Sequence, residues 1–320
     1  MIQEYALDPS VLVAEFPRHY GFLRDSFGDT GRILSQYPET WIETVRGFQA
    51  GMSDGDGKRL EVFLLNWLPS HSMKRSRSEF NGGDWLQEAE GEDARLPFHG
   101  ILADSNPRGH GRVIPFGQLT TGDHALWGCR RSCRATRTAQ DIVASISPIL
   151  TRSKRVVVID PYFDVEPRFY NVLLEMISVL NSANCIHRVD EIQICTALKR
   201  RRNNDPEATE RRNLADAFKI RCERDLPRRV PQGFSLNFTV YFEKKHGVDA
   251  HDRHILTDIA GVDLGQGIDQ RQDLRDQNHV RINLLDFDEI CRLEADFQPH
   301  ASGMSASYIV ESEFSIAGRA

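Results

Sequence analysis

A run of β-branched residues near the middle of the chain constrains the fold more than any other feature. Residues 155–160 read RVVVID, with four consecutive aliphatic side chains. Such a run is typical of a strand buried on both faces, as in parallel sheets. Amphipathic helical patterns precede it, at Ala139–Leu150, and follow it, at Phe169–Ser182. Helix, buried strand and helix in this order predict an α/β layered fold.

The same alternation continues towards the C-terminus. Further strands are predicted at 191–197, 234–243 and 280–285, and further helices at 205–225 and 287–295. We therefore expect a layered α/β sandwich over residues 136–297. A Ser- and Gly-containing tail, 298–320, follows it, and Tyr308–Phe314 within this tail has the pattern of an edge strand.

The first part of the chain is harder to interpret. Residues 1–50 have mostly helical patterns, Lys58–Leu68 favours a buried strand, and Phe98–Ala103 reads as a second strand. Turn-rich segments separate these elements. We expect a separate α+β region over residues 1–135, in which no motif indicates a function.

A β-hairpin is predicted from the sequence HDRHILTDIAGVDLGQGID, residues 251–269. Alternate residues of a strand share a face, so His251 and Arg253 point to the same side. A tight turn at 258–261 and a return strand lead to the glycine-rich loop Gly265-Gln266-Gly267, which Asp269 closes. Glycine lets backbone N–H groups approach an anion closely, and the basic side chains add positive charge. The hairpin therefore predicts a phosphate site.

The spacing of this hairpin is also that of a known motif. The motif reads His, any residue, Lys, four residues, Asp, six residues, Gly-Ser, two residues, Asn. The corresponding positions here are His251, Arg253, Asp258, Gly265, Gln266 and Asp269. On these residues the chain resembles the phospholipase D superfamily over about residues 140–290. It is most similar to the phospholipase D-like domain at the C-terminus of MIT-domain proteins. The DPYFD segment at 160–164, after the first strand, is a further similar feature.

The resemblance implies a metal-independent phosphodiesterase, most plausibly a nuclease. His251 would attack phosphorus and form a phosphohistidine, Arg253 would bind phosphate, and Asp258 and Asp269 would orient these groups. Gly265, Gln266 and Gly267 would contact the phosphate as well. Enzymes of this family need two such motifs facing each other, whereas this chain has one. An active form would therefore be a homodimer with a site across the two-fold axis, and no cofactor is expected.

Three departures from the motif favour a different function. Arg253 replaces Lys with a larger planar group, Gln266 replaces Ser, and Asp269 places a negative charge where the motif has an amide. The MIT-associated domain is itself regarded as a non-catalytic membrane-binding relative. The alternative is thus a catalytically degenerate module that binds nucleic acid or anionic lipid, or that scaffolds a larger assembly.

Positive charge is concentrated between the second and third strands of the predicted sandwich. Residues 199–229 contain eleven basic and six acidic residues, a balance of +5 in a chain with a net charge of −6. Arg200, Arg201 and Arg202 follow a strand at the edge where ligands usually bind, and we expect them to contact nucleic acid. A solvated helix face with internal ion pairs is the alternative for the rest of the stretch.

Composition indicates an ordinary soluble protein, with 40% hydrophobic and 27% charged residues. No apolar run has the length of a transmembrane helix and no signal peptide is evident, so a cytoplasmic location is expected. Cys129 and Cys133 have a spacing that could share a metal, but no second pair follows. His246, His251 and His254 lie near Asp258, but opposite strand parity separates His251 from His254. We therefore predict no metal site.

Overall fold

The computed structural model describes residues 1–28, 30–75, 80–121, 124–198, 207–243, 252–265, 267–271, 278–297 and 308–319. The chain divides into two compact units, Met1–Arg131 and Ser132–Ala320, each of which has its own sheet. The predicted boundary followed residue 135. The division comes slightly earlier because residues 132–136 form a strand of the second sheet.

The first unit is built on a five-stranded sheet of order β3-β2-β1-β4-β5. Its elements are β1 (Gln3–Leu7), α1 (Pro9–Ser26), β2 (Arg32–Gln36), α2 (Trp41–Gln49), α3 (Asp54–Val62), a π-helical turn (Phe63–Trp67), α4 (Leu68–His71), β3 (Ser72–Lys74), α5 (Trp85–Arg95), β4 (Gly100–Ala103), β5 (Val113–Pro115), α6 (Phe116–Thr121) and a 3₁₀ turn (Ala125–Trp127). Each strand pair in this sheet is parallel. Parallel neighbours need crossover connections. Helices supply those that lead from β1 to β2, from β2 to β3 and from β3 to β4, whereas turns alone connect β4 to β5.

Two expectations for this unit are corrected. The α+β assignment is wrong, because a wholly parallel sheet with helical crossovers is an α/β arrangement. The strand predicted at Lys58–Leu68 is helical instead. Its buried residues are Leu60, Phe63, Leu64 and Leu68, at the i, i+3, i+4, i+8 spacing of a helix face. The strand predicted at Phe98–Ala103 is confirmed as β4.

The second unit contains an eight-stranded sheet of order β13-β9-β8-β7-β10-β11-β12-β6. Its elements are β6 (Ser132–Thr136), α7 (Ala139–Leu150), β7 (Val156–Ile159), α8 (Pro167–Leu180), β8 (Glu191–Ala197), α9 (Ala208–Asp225), β9 (Ser235–Glu243), β10 (His254–Thr257), β11 (Gly261–Asp263), β12 (His279–Leu284), α10 (Phe287–Phe297) and β13 (Tyr308–Ala317). The expected α/β class and the predicted elements of this half are confirmed.

The sheet of the second unit is mixed. β7, β8 and β9 run parallel to one another, and the remaining neighbours are antiparallel. All four residues of β7 are buried, as its unbroken aliphatic run predicted. Leu293 and Phe297 of α10 pack with Val157 and Ile159 on one face of this strand. The alternate residues of the strand face the other side.

The strand directions bring the ends or starts of several strands together at one edge of this sheet. β10 is antiparallel to β7, with His254 opposite Ile159, so the chain enters β10 where it leaves β7. β11 ends at this edge, since Asp263 lies opposite His254. Thr136 at the end of β6 lies opposite His279 at the start of β12. We call this edge, where β7 ends and β10 begins, the site edge.

The C-terminal tail includes a strand. β13 pairs antiparallel with β9 and forms an edge of the sheet, which confirms the edge strand predicted at Tyr308–Phe314 and extends it to Ala317. Within the described ranges, none of the helices combines the length and apolar character needed to cross a bilayer.

Candidate functional site

Arg253 lies at the site edge, directly before β10. Its Nε donates a hydrogen bond of 3.3 Å to Oδ1 of Asp160, the first residue after β7. Its guanidinium lies 4.8 Å from the centre of the Tyr162 ring. The main chain of Arg253 continues the pairing of β10 with β11, donating to the carbonyl of Gly265 and accepting from Leu264. Arg253 is thus held between the end of β7 and the glycine loop.

The Asp160 carboxyl is fully buried. Oδ1 accepts hydrogen bonds from Arg253 and from the backbone N–H of Tyr162, at 2.9 Å. Oδ2 is buried and has no hydrogen-bond partner among the described residues. Burial raises the pKa of Asp160, and the positive charge of Arg253 opposes this rise. A buried carboxyl oxygen without a partner, beside an arginine, is a place where a proton or a ligand donor can bind.

The glycine loop takes a shape that its sequence explains. Gly265 has a φ of +53°, in the left-handed region, and its N–H donates to Oδ1 of Asp263 at 2.7 Å. A Cβ at Gly267 would lie 3.1 Å from the Val280 side chain and 3.4 Å from Nε of Arg137. Backbone conformation therefore requires glycine at 265, and close packing favours it at 267. The two N–H groups, which were predicted to approach an anion, donate instead to Asp263 and, at 3.1 Å, to the Leu264 carbonyl.

Asp269 is held at the end of this loop by two arginines. Arg137, the first residue after β6, donates to both the carboxylate and, at 3.1 Å, the main-chain carbonyl of Asp269. Arg168, in the first turn of α8, lies 3.7 Å from Oδ2 of Asp269 and 2.9 Å from the Glu166 carboxylate. The negative charge that Asp269 introduces is therefore compensated within the protein.

The ion pairs described above balance the charge of this cluster. The three arginines are matched by three carboxylates, those of Asp160, Glu166 and Asp269. A bound anion must then compete with a carboxylate for an arginine. Protonation of Asp160 would leave the positive charge of Arg253 uncompensated, and its raised pKa lowers the cost of that protonation.

Asp258 lies away from this cluster. It occupies the turn between β10 and β11, and its Oδ1 accepts hydrogen bonds from the backbone N–H groups of Lys154, at 2.7 Å, and Arg155. Five residues of extended chain separate it from Arg253, a span of roughly 16 Å. The contacts of Asp258 connect the hairpin to the segment before β7, at the opposite end of the strand from the site edge.

The structure thus brings together Arg253, Gly265, Gly267 and Asp269 from the predicted site. His251, Gln266 and Arg200, Arg201 and Arg202 lie outside the described residues. Sequence reasoning missed Arg137 and Arg168, and it singled out the DPYFD segment at 160–164 without giving Asp160 a role. An acidic residue directly after a buried strand was a usable signal for Asp160, whereas no local pattern marks the two arginines.

The described part of the basic stretch forms ion pairs, but two of its arginines pair with carboxylates outside α9 rather than along the helix face. On α9, Arg211 pairs with Glu311 and Arg221 with Asp164, while Arg224 pairs with its neighbour Asp225. Arg229, beyond the helix, lies 4.5 Å from the Tyr170 ring centre. Much of the positive charge in this region therefore contributes to contacts within the second unit.

His254 faces away from Arg253 and is buried. Its Nδ1 has no hydrogen-bond partner in the described structure and lies 4.0 Å from Asp263 Oδ1. Burial lowers the pKa of His254, and Asp263, Asp252 and Glu289 oppose this shift. A neutral, buried imidazole on this face fits a packing role.

No group of three or more His, Cys, Asp or Glu side chains suited to a metal ion occurs in the part of the chain that the structure describes. Cys129 belongs to the first unit, where its Sγ donates to the Met1 carbonyl at 3.0 Å and burial raises its pKa. Cys133 lies in β6 of the second unit.

A cavity of about 300 Å³ lies next to the glycine loop. Gly265, Gly267 and Arg137 line one part of it, and His279, Arg281 and Asn283 of β12 line another. The lining is mostly polar, with Leu264 and Val280 as its apolar members. The site edge therefore continues from Arg253 across the loop into a recess bounded by basic side chains.

No protein-family model matches the sequence, and no curated protein matches it. Among solved structures, the chain aligns with TrmBL2, an archaeal chromatin protein whose structure shows a novel mode of DNA binding. The alignment has 9% identity and a TM-score of 0.26, and it covers 57% of this chain and 55% of that protein. Similarity at this level supports no argument about fold or function, so the site is interpreted from its own geometry.

Proposed function

We propose that the second unit is a phospholipase D-like phosphodiesterase domain that acts on nucleic acid at the site edge. The observation that carries the proposal is the pair of Arg253 and Asp160, a guanidinium beside a buried carboxyl with one unpartnered oxygen. The pair lies next to the glycine loop, in a hairpin whose spacing is that of the phospholipase D motif.

Phosphate binding begins with Arg253. Its planar fork suits two phosphate oxygens, but in the described structure it donates to Asp160. An arriving phosphate would compete for the guanidinium, and Asp160 would take up a proton as its own pairing weakens. Burial already raises the pKa of Asp160, so this exchange costs less than it would at an exposed aspartate.

The reaction follows from the resemblance. A ring nitrogen of His251 attacks phosphorus, and the bond to the leaving oxygen breaks as that oxygen receives a proton. Water then attacks the phosphohistidine, which releases the phosphate product and neutral histidine and returns a proton to the acid. The proton donor is either His251 of a second copy, as the resemblance implies, or protonated Asp160 of the same chain.

A second candidate is a phosphate-binding module without catalysis, which the balance of charges favours. Asp269 is engaged by Arg137 and Arg168, and Arg253 by Asp160. Arginines that form internal ion pairs are consistent with a binding or structural role as well as with a catalytic one.

One experiment distinguishes the phosphodiesterase from the binding module. The protein is incubated with single-stranded DNA, duplex DNA, RNA and a small chromogenic phosphodiester, with chelator present, beside His251→Ala and Arg253→Gln. Cleavage that His251→Ala abolishes, with oligonucleotide binding retained, supports the phosphodiesterase. Binding by the wild type without cleavage of any substrate supports the module. Neither binding nor cleavage would overturn both.

A further inference from the structure

Two arginines lie directly opposite each other at the β6 end of the second sheet. Arg134 of β6 and Arg281 of β12 are register partners, and both side chains are exposed. Within the described residues, neither makes an ion pair or a side-chain hydrogen bond. Like charges directly opposite across two antiparallel strands destabilise the pairing. An external anion that binds both guanidinium groups would remove this repulsion.

The same face is polar over several further pairs. His279 lies opposite Thr136, and Asn283 lies opposite Ser132, so these side chains share a face with the two arginines. Arg281, His279 and Asn283 also line the 300 Å³ cavity beside the glycine loop. Asp263 is the acidic group in that lining, and it accepts hydrogen bonds from Gly265 and, at 3.4 Å, from Asn283.

The chemistry of this face favours a nucleic-acid backbone over a lipid surface. The large hydrophobic side chains that are exposed in the described structure lie outside β6, β12 and the glycine loop. Membrane-surface binding generally combines basic residues with apolar side chains that enter the lipid, and this face offers only the former. Arginine, histidine and asparagine beside a recess are suited to phosphate oxygens.

We propose that Arg134, Arg281 and His279, with the cavity beside Gly265 and Gly267, form a backbone-binding strip for a single nucleic-acid strand. The strip lies on the sheet face of Asp263 and His254, opposite to the face of Arg253. A bound strand would therefore reach the phosphate at Arg253 by passing around the glycine loop at the site edge. This inference rests on the proposed function and specifies its substrate as a polymer with several phosphates. The affinity is expected to be independent of the nucleotide sequence and to fall steeply with salt concentration, because the contacts are made to phosphates.

The test compares two double variants with equal charge changes. Arg134→Gln/Arg281→Gln removes the strip. Arg188→Gln/Arg228→Gln removes two exposed arginines near the starts of β8 and β9, at the opposite edge of the sheet. Binding of a labelled oligothymidylate is followed by fluorescence anisotropy at several salt concentrations. The strip variant is expected to bind more weakly and to lower the salt slope by about 1.4, at ~0.7 per lost phosphate contact.

Each outcome decides the proposal. If both double variants bind equally well, the strip is overturned. If Arg134→Gln/Arg281→Gln instead loses binding to vesicles of anionic phospholipid and keeps oligonucleotide binding, the face is a membrane surface and the proposal fails. Folding is checked by circular dichroism, and removal of the like-charge pair is expected to leave stability unchanged or raised.

The strip and the proposed phosphodiesterase can fail independently. A small diester has no neighbouring phosphates, so the strip variant is expected to cleave it at the wild-type rate while its KM for an oligonucleotide rises. If the wild type binds oligonucleotide through the strip but cleaves neither substrate, the strip stands and the enzyme does not. Equal KM values for the oligonucleotide in the strip and control variants would refute the strip alone.

Discussion

The two oxygens of the Asp160 carboxyl have different surroundings. Oδ1 is hydrogen-bonded to Arg253 and to the Tyr162 N–H, whereas Oδ2 is buried without a described partner. Oδ2 can therefore take up a proton while Oδ1 keeps its two hydrogen bonds, and this protonation leaves the charge of Arg253 uncompensated. Because burial raises the pKa of Asp160, the protonated fraction increases as the pH falls towards that raised value.

Phosphodiester binding should therefore depend on pH through Asp160. We expect the affinity for a small diester, whose charge is constant in this range, to fall as the pH rises through the raised pKa of Asp160. In Asp160→Asn residue 160 is uncharged at every pH and Arg253 stays uncompensated, so the pH dependence due to Asp160 should disappear. The affinity should be at least equal to that of the wild type at low pH. Isothermal titration calorimetry between pH 4 and 8 measures both curves.

The matched control is Asp164→Asn, four residues along the same loop, whose carboxylate pairs with Arg221 near the surface. This variant should keep the wild-type pH dependence. If it loses that dependence and Asp160→Asn keeps it, the titrating group has been misassigned.

Arg75 is a buried charge in the first unit with a different role. Its guanidinium donates to Glu4 at 2.6 and 2.9 Å, to Glu92 at 2.8 Å and to the Leu96 carbonyl at 2.7 Å. It also lies 3.6 Å from the Phe98 ring centre. Arginine at this position joins β1, α5 and the segment that follows α5.

Arg75→Met should destabilise the first unit strongly. The variant leaves two buried carboxylates without their shared cation, and breaking a buried pair in this way costs about 3–5 kcal/mol. The four tryptophans all lie in the first unit, so tryptophan fluorescence in urea reports its unfolding. Arg95→Met, which removes a half-exposed partner of Glu92, should cost at most about 1 kcal/mol. Equal losses in the two variants would show that the buried network contributes little.

At the scale of elements, apolar patterns predicted the second unit well and the first poorly. β7 is an unbroken aliphatic run and β8 carries apolar residues interrupted by single polar ones, and both were located from sequence. In the first unit, β1 and β2 contain fully buried polar residues, Glu4 and Ser35, which break the apolar pattern of a central strand. The tertiary partner Arg75 that makes Glu4 tolerable is far away in sequence and cannot be inferred locally.

The candidate site could likewise be predicted from the sequence only in part. The hairpin and its glycine loop follow from local turn chemistry. The predicted shared face of His251 and Arg253 stays a prediction, because His251 lies outside the described residues. The partners of Arg253 and Asp269 come from β7, β6 and α8. Their meeting depends on the strand order β7-β10-β11-β12-β6, in which neighbours are not consecutive in sequence. Local patterns carry no information about that order.

Close packing between β1 and β4 gives a prediction at the same scale. Gly100 begins β4, and a Cβ there would lie 2.9 Å from two atoms of the Tyr5 ring and 3.0 Å from Ile114. Gly100→Ala should therefore overpack the sheet and destabilise the first unit by about 1–3 kcal/mol. Tryptophan fluorescence in urea again measures the change.

Gly91 provides the control within the same unit. It lies in α5, and a Cβ there would have no atom within 4 Å. Gly91→Ala should stabilise the unit by roughly 0.5–1 kcal/mol, because alanine has the higher helix propensity. The interpretation of Gly100 fails if both alanine variants are stabilising.

At the scale of the whole molecule, both units are α/β, but their sheets differ in kind. The first is wholly parallel, and the second joins a parallel set, β7, β8 and β9, to antiparallel strands on both sides. In the second unit the antiparallel hairpin of β10 and β11 is inserted beside β7. This insertion places Arg253 next to Asp160, and it is the feature of the architecture on which the proposed site depends.

Each chain carries one motif, so a functional site is built either by one chain or by two. This number is a property of the whole molecule. If two copies of His251 share one site, as the resemblance implies, mixed dimers of wild type and His251→Ala are inactive. After unfolding and refolding together at equal amounts, activity should fall to about a quarter of that of the same total amount of wild-type protein. If Asp160 supplies the proton within each chain, activity falls to only about half.

The rate is measured over a series of mixing ratios, with unmixed proteins refolded in parallel as the control. A quadratic dependence on the wild-type fraction establishes the shared site. A linear dependence rules it out and assigns a complete site to each chain.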